Sequence, residues 1–323
     1  MKVSSRLATS LFGIYLRTPV LAASGTFGYG AEFKSLLDLE SIGGLVLKGL
    51  SREPIAGNPP PRLFETRAGM INSVGLQNMG VRAFLRDRLP ELRKIDVPIF
   101  ANIFGHTIDD YVEVARVLED AEGLAAYELN VSCPNTKRGG LYFSSHPGLL
   151  SEVVWAVRAI ARRPLIVKLS PQVDRIEPLA KAAAESGADG LSLINTIVAL
   201  AIDARTRRPR LGAGFGGLSG PAIKPIALRL VYEAAQAVKI PILGIGGVAT
   251  GLDAAEFLIA GASAVQVGTA NFFDPRATVR IAQELESFLE QENIPEVRQL
   301  VGTLKFSPQR EIDAERRFNQ SRP

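Results

Sequence analysis

Residues 164–196, "PLIVKLSPQVDRIEPLAKAAAESGADGLSLINT", decide the fold. Two short runs rich in Val, Ile and Leu, "PLIVKLS" (164–170) and "DGLSLINT" (189–196), flank a helix-like stretch, "RIEPLAKAAAES". The helical stretch closes at glycine in "SGADG". Each strand run ends in polar residues: Lys168 and Ser170 in the first, Asn195 and Thr196 in the second.

The same alternation runs along the chain. Further strand candidates are "PVLAASG" (19–25), "GGLVLKG" (43–49), "VPIFANIFG" (97–105), "AAYELNVS" (125–132), "IPILGIGG" (240–247) and "SAVQVGTAN" (263–271). Between them lie amphipathic stretches, among them "AEFKSLLDL", "VRAFLRDRLPELRKI", "TIDDYVEVARVLEDA" and "GLDAAEFLIAGA". Eight strands alternating with helices predict an α/β fold of one (β/α)8 TIM barrel. An open doubly wound sheet is the runner-up. The expected organisation is a single domain over 1–323, with its core at about 19–290 and a loose polar tail from about 298 to 323. The long connection from Leu50 to Asn72, containing "GNPPPR", is expected to form a lid or hairpin insertion after the second strand.

Active sites of such barrels sit at the C-terminal mouth. At the strand ends the sequence places Ser24, Lys48, Asn102, Asn130, Lys168, Asn195 with Thr196, the "GIGG" run (244–247), and Gly268 with Thr269. One polar residue there reads most simply as a cap or a snorkelling side chain. Two lysines and three asparagines converging on one mouth favour a ligand with many acceptors. The glycines ending strands seven and eight, with "GGLSG" (216–220), suit close approach of a phosphate to backbone N–H groups, against a reading as tight turns only. "GAGFGG" (212–217) matches G-x-G-x-x-G but follows the basic run "RTRRPR" (205–210) instead of an apolar strand. It is read as a mobile glycine loop without an NAD role.

With 46% hydrophobic and 22% charged residues and a net charge of only +4, the chain reads as a globular protein, not a nucleic-acid binder. "RTRRPR" is its one dense basic run, taken as a solvated loop before any acidic partner or anionic ligand. A single cysteine, Cys133, excludes an internal disulfide or a cluster held by several cysteines of this chain, and His106 and His146 lack metal-ligand spacing. No metal is expected. The N-terminal stretch reads as neither signal peptide nor membrane span, so a soluble, cytoplasmic location is expected.

These motifs resemble those of the dihydroorotate dehydrogenases, class 1, and within it the NAD-linked class 1B catalytic subunit. The resemblance runs from about Pro19 to Phe273 and rests on "ASGTFGYG", "LKGLSREPIAGNPPPR", "GMINSVGLQNMG", "ELNVSCPNTKRGG", "VKLSP", "GGLSGPAIKP", "GIGGV" and "QVGTANF". It implies FMN as cofactor, held by Ser24, Lys48, Gly49, Asn102, Asn130 and Lys168. Ile194, Gly220, Gly246, Gly247, Gly268 and Thr269 complete that set. It implies dihydroorotate contacts at Lys48, at the loop Asn72, Ser73, Val74, Gly75 and Leu76, and at Asn130, Asn195 and Thr196. Cys133 falls where the family keeps its catalytic base, taking a proton from C5 while a hydride leaves C6 for flavin N5; Lys168 would stabilise charge on the reduced flavin. A lone cysteine is otherwise a small buried hydrophobe, but Pro134 and the flanking Asn130 and Asn135 point to a loop.

The resemblance to class 1B further implies a partner subunit carrying FAD and a [2Fe–2S] cluster, in a heterotetramer of two catalytic and two electron-transfer chains. Neither a nucleic acid nor a membrane is an expected partner. The alternatives are a class 1A homodimer reducing fumarate, a flavin-free barrel lyase or isomerase using Lys168 or Lys48 on a phosphorylated substrate, and a non-catalytic ligand-binding scaffold.

Overall fold

The computed structural model describes residues 6–131, 141–144 and 146–306. Eight parallel strands close into a barrel: β1 (Val20–Ala22), β2 (Leu45–Val46), β3 (Ile99–Ile103), β4 (Ala126–Asn130), β5 (Leu165–Lys168), β6 (Gly190–Leu193), β7 (Ile242–Ile245) and β8 (Ala264–Val267). Their order around the barrel follows the chain, and β8 pairs with β1 to close it. All eight match predicted strands, and the (β/α)8 architecture is the one expected.

The outer layer is α1 (Val81–Asp87), α2 (Ile108–Glu119), α3 (Pro147–Arg158), α4 (Glu177–Glu185), α5 (Lys224–Ala237), α6 (Gly251–Ala260) and α7 (Ala277–Gln291). Each buries one stripe against the barrel, as α2 does with Tyr111, Val114, Ala115 and Leu118. Capping boxes start α2 at Thr107 with Asp110 and α6 at Thr250 with Asp253.

The lumen is layered. Leu21, Val46, Phe100, Ala126, Ile166, Leu243 and Ala264 form one apolar cluster. A hairpin, Thr9–Leu11 with Ile14–Leu16, adds Leu11 and Leu16 and plugs this end. Side chains on one face of a strand recur every second residue. Two positions further on, the same strands therefore present Ala23, Lys48, Asn102, Glu128, Lys168, Ile245 and Gln266 toward the mouth.

The expected insertion after β2 is a hairpin, Leu63–Thr66 with Gly69–Asn72. It joins Phe215–Ser219 and Ile197–Leu200, both from the connection after β6, in a four-stranded antiparallel sheet over the mouth.

Four expectations change. "AEFKSLLDL" forms two single 3-10 turns, Ala31–Phe33 and Leu39–Ser41, because the Asp38 side chain accepts from Glu40 N–H and starts a new turn. "VRAFLRDRLPELRKI" splits into α1 and Leu89–Leu92; Pro90 has no N–H to continue the helix. "GAGFGG" is no loose loop: its second half enters the strand Phe215–Ser219. A Cβ on Gly216 would stand 2.6 Å from Asn72 O, and one on Gly217 2.0 Å from Thr196 Oγ1, so these glycines serve close sheet packing. Residues 298–306 of the tail are docked: Gly302 and Leu304 donate backbone hydrogen bonds to Leu258 and Ile259, and Phe306 packs edge-on against Tyr232.

Candidate active site

Polar side chains at the strand ends border a cavity of about 380 Å³, roofed by the lid sheet. That volume lies within the ~300–1,000 Å³ range of small-molecule and cofactor clefts. The floor carries Ser24, Lys48, Asn102, Asn130 and Lys168, from β1 to β5 and the segments just beyond. Ile194, Asn195 and Thr196 follow β6 on the far side. The roof and rim are more apolar, with Leu63 and Met70 of the lid hairpin, Val74 and Leu76 of the following loop, and Phe272 beyond β8. Apolar faces above a polar edge suit a flat heterocycle.

The floor is held by hydrogen bonds. Asn102 Nδ2 donates to Glu128 Oε1 at 2.7 Å, and Gln266 Nε2 donates to Glu128 Oε2 at 2.8 Å. Lys168 Nζ lies 3.5 Å from Glu128 Oε1. Glu128 is buried, on the strand that also carries Asn130. The carbonyl of Asn130 accepts from Tyr111 Oη at 2.9 Å, and its Oδ1 lies 3.5 Å from Asn195 Nδ2. Asn195 Oδ1 in turn accepts from Thr196 N–H. Asn102 Oδ1 is buried without a partner among the described residues, on the side of Gly49. A buried acceptor left unpaired costs stability unless a ligand donates to it.

Lys48 borders the same floor. Burial, reinforced by the positive charge of Arg62, pulls its ammonium below the ordinary lysine range; Glu32 opposes this weakly. An anion entering the cavity would offset that penalty.

The rim after β7 and β8 is glycine. Gly246 and Gly247 hold φ of 129° and 84°, conformations that L side chains rarely adopt. Gly268 is different: a Cβ there meets nothing of the chain closer than 3.7 Å, so packing does not demand glycine. Such a Cβ suits neither a ligand lying against the backbone nor one approaching its N–H. Gly220, from the connection after β6, completes this side, beside Thr269, whose Oγ1 donates to Ser219 Oγ at 2.7 Å.

The loop after the lid hairpin is rigidly tied. Leu76 sits at φ 55°, uncommon for a residue with a side chain, and its carbonyl accepts from Asn78 Nδ2 at 2.9 Å. Asn78 also bridges Ser51 and Gly80. Asn58 donates to Ser73 Oγ at 2.8 Å, and Arg62 bonds both Asn58 O and Gln77 Oε1.

Of the residues singled out from sequence, Asn72, Val74, Gly75 and Leu76 border the cavity with the floor and rim residues named above. Ser73 is buried beside them, bound to Asn58, and does not line it. Cys133 lies outside the described residues. Sequence reasoning missed Glu128, Gln266 and Asn78. A signal for the first was present: "AYELN" puts a carboxylate two residues before Asn130, on the same face of a strand inside a barrel.

No group of three or more His, Cys, Asp or Glu among the described residues is placed to hold a metal ion. No helix there is long and apolar enough to cross a membrane.

A family model described as dihydroorotate dehydrogenase matches residues 6–289. A relative from Solibacter usitatus, named "Putative dihydroorotate dehydrogenase A (fumarate)", is 68% identical over 304 residues, covering 94% of this chain and all of that one (100%). One from Geobacter sp. (strain M21), named "Dihydroorotate dehydrogenase B (NAD(+)), catalytic subunit", is 52% identical, covering 93% of this chain and 98% of its own. Among solved structures, DHODH from Eimeria tenella in complex with ferulenol superposes with a TM-score of 0.76 at 26% identity, over 94% of this chain and 89% of that one.

Proposed function

Because the chain belongs to the dihydroorotate dehydrogenase family, we propose that it oxidises dihydroorotate to orotate for pyrimidine synthesis, with FMN in this cavity and electrons passing to NAD through a separate subunit. The observation that carries the cofactor is the unpartnered Asn102 Oδ1 in a polar floor, facing a rim where Gly268 leaves room that the chain does not fill. The residues present fit FMN. Bound there, FMN supplies a two-electron acceptor for the substrate hydride.

The chain's own residues do the rest. Backbone at Gly246, Gly247, Gly268 and Thr269, with Gly220 and Ile194 beside them, receives the phosphate and ribityl side. Ser24, Gly49, Asn102 and Asn130 hold the polar edge of the ring. Lys168 keeps an ammonium beside that edge, where negative charge develops on reduction. Lys48, Asn130, Asn195, Thr196 and the loop Asn72–Ser73–Val74–Gly75–Leu76 bind the pyrimidine and its carboxylate, amide side chains matching its alternating N–H and C=O groups. Ser73 contributes by keeping that loop in place through Asn58. Cys133, carried on the segment after β4, takes the C5 proton as general base; a thiol of ordinary pKa about 8.5 needs only modest help for this near neutral pH.

The whole chain acts as one FMN-binding barrel in the cytoplasm. Its partner is a subunit bearing FAD and [2Fe–2S], in an assembly of two catalytic and two electron-transfer chains. The relatives named as catalytic subunits support this reading. The name of the Solibacter relative favours a second one, a homodimer passing electrons to fumarate. Purified protein should be yellow and should oxidise dihydroorotate. Turnover with NAD only when the candidate partner is added supports the first acceptor; turnover of the chain alone with fumarate replaces it with the second. Protein that takes up no FMN ends both.

A further inference from the structure

Glu128 does not border the cavity, yet two side chains that do, Asn102 and Lys168, converge on it together with Gln266. Its Oε1 accepts from Asn102 Nδ2 at 2.7 Å and lies 3.5 Å from Lys168 Nζ; its Oε2 accepts from Gln266 Nε2 at 2.8 Å. The residue is 1% exposed. A carboxylate only accepts, so it takes the donor end of each amide. The carbonyl oxygens of Asn102 and Gln266 are thereby turned away, and both are buried without a partner among the described residues. For Asn102 that oxygen lies beside Gly49, which borders the cavity. Lys168 is the one basic side chain paired with Glu128 among the described residues.

We propose that Glu128 is a positioning residue that sets the polarity of the cavity floor, anchoring the Lys168 ammonium and fixing Asn102 with its acceptor facing the ligand. The inference rests on the flavin reading above and goes beyond it. A neutral amide at 128 offers a donor where Asn102 or Gln266 needs an acceptor, and it removes the counter-charge of Lys168. Ring N–H groups then lose a prepared acceptor, and the charge beside the ring changes.

The test uses the full chain loaded with FMN, comparing wild type, Glu128→Gln, Lys168→Met and the double variant. Two quantities are read: the FMN dissociation constant by flavin fluorescence, and the flavin midpoint potential by anaerobic redox titration. Glu128→Gln is expected to weaken FMN about tenfold or more, the scale of a lost charge-assisted hydrogen bond. It is also expected to move the potential to more positive values, since a buried negative charge is removed near a group that becomes anionic. In the Lys168→Met background the same change should move the potential less, because no ammonium remains for Glu128 to hold beside the ring.

A potential and affinity unchanged by Glu128→Gln overturn the proposal, as does a shift that persists in full with Met at 168. Should Glu128→Gln alone fail to fold, the double variant, which removes both charges, is expected to recover folding. Failure of both assigns Glu128 to barrel packing and rejects the positioning role. Wild-type protein that takes no FMN sinks the flavin reading instead, so the two failures are told apart.

Discussion

On five of the eight barrel strands, two residues on the inward face stand two positions apart and differ in kind, the lower apolar and the upper polar. Val46, Phe100, Ala126, Ile166 and Ala264 belong to the apolar plug. Lys48, Asn102, Glu128, Lys168 and Gln266 follow them toward the mouth. One strand thus serves both levels within a rise of roughly 7 Å. The lower level needs nothing from outside the chain, since Leu11 and Leu16 of the N-terminal hairpin finish its packing. The upper level is incomplete: Asn102 Oδ1 and Gln266 Oε1 have no partner among the described residues. Stability and ligand binding therefore divide by level, and substitutions can separate them.

The largest expected effect comes from a residue that belongs to neither level. Cys133→Ser should retain FMN while slowing flavin reduction by dihydroorotate at least about a hundredfold near neutral pH. A near-normal rate in stopped flow would remove the thiol from its role as base. Next is Phe100→Ala in the plug. Phe100 is buried, and its truncation should cost about 3–5 kcal/mol in urea unfolding of the apoprotein. The fraction that remains folded should keep its FMN affinity; a matching loss of affinity would show that the levels are not separable.

Gly268→Ala should act in the opposite sense. The new Cβ meets nothing of the chain within 3.7 Å, so apoprotein stability should hardly change, while FMN binding weakens about tenfold. Unchanged binding would place the ligand away from this rim. Ser192 stands between the levels, with a buried hydroxyl unpartnered among the described residues. Ser192→Ala should be neutral or stabilising by up to about 1 kcal/mol in the apoprotein. A clear destabilisation would reveal a partner for that hydroxyl.

The smallest effect concerns pH. The Lys48 ammonium is held below its ordinary 10.5, by burial first and Arg62 second. The unfolded chain then binds this proton more tightly than the folded one. The penalty is present in full below the folded value and is relieved as pH rises toward 10.5. Apoprotein stability measured against pH should therefore rise in that window relative to Lys48→Met. Parallel profiles would remove the desolvation of Lys48.

The fold was legible because its signal is periodic. Each strand is a short apolar run between polar ends, and each barrel helix carries one apolar stripe. Where the sequence misled, a local interaction overrode the pattern, as Asp38 did by capping its own turn and Pro90 by withholding an N–H. The residues bordering the cavity were legible because Lys and Asn are costly at the end of a buried parallel strand. Glu128 and Gln266 escaped because their partners come from other strands: Glu128 meets Asn102, Lys168 and Gln266 across three different chain segments. Barrel closure, not sequence spacing, brings them together. Ser73 looked like its neighbours in "NSVGL", but the direction of its side chain depends on Asn58, fifteen residues earlier.

The most direct measurement is anaerobic addition of dihydroorotate to the FMN-loaded chain, following the oxidised flavin absorbance. Rapid bleaching is expected, with orotate formed in equal amount, before any electron acceptor is supplied. A flavin that stays oxidised in excess dihydroorotate would contradict it.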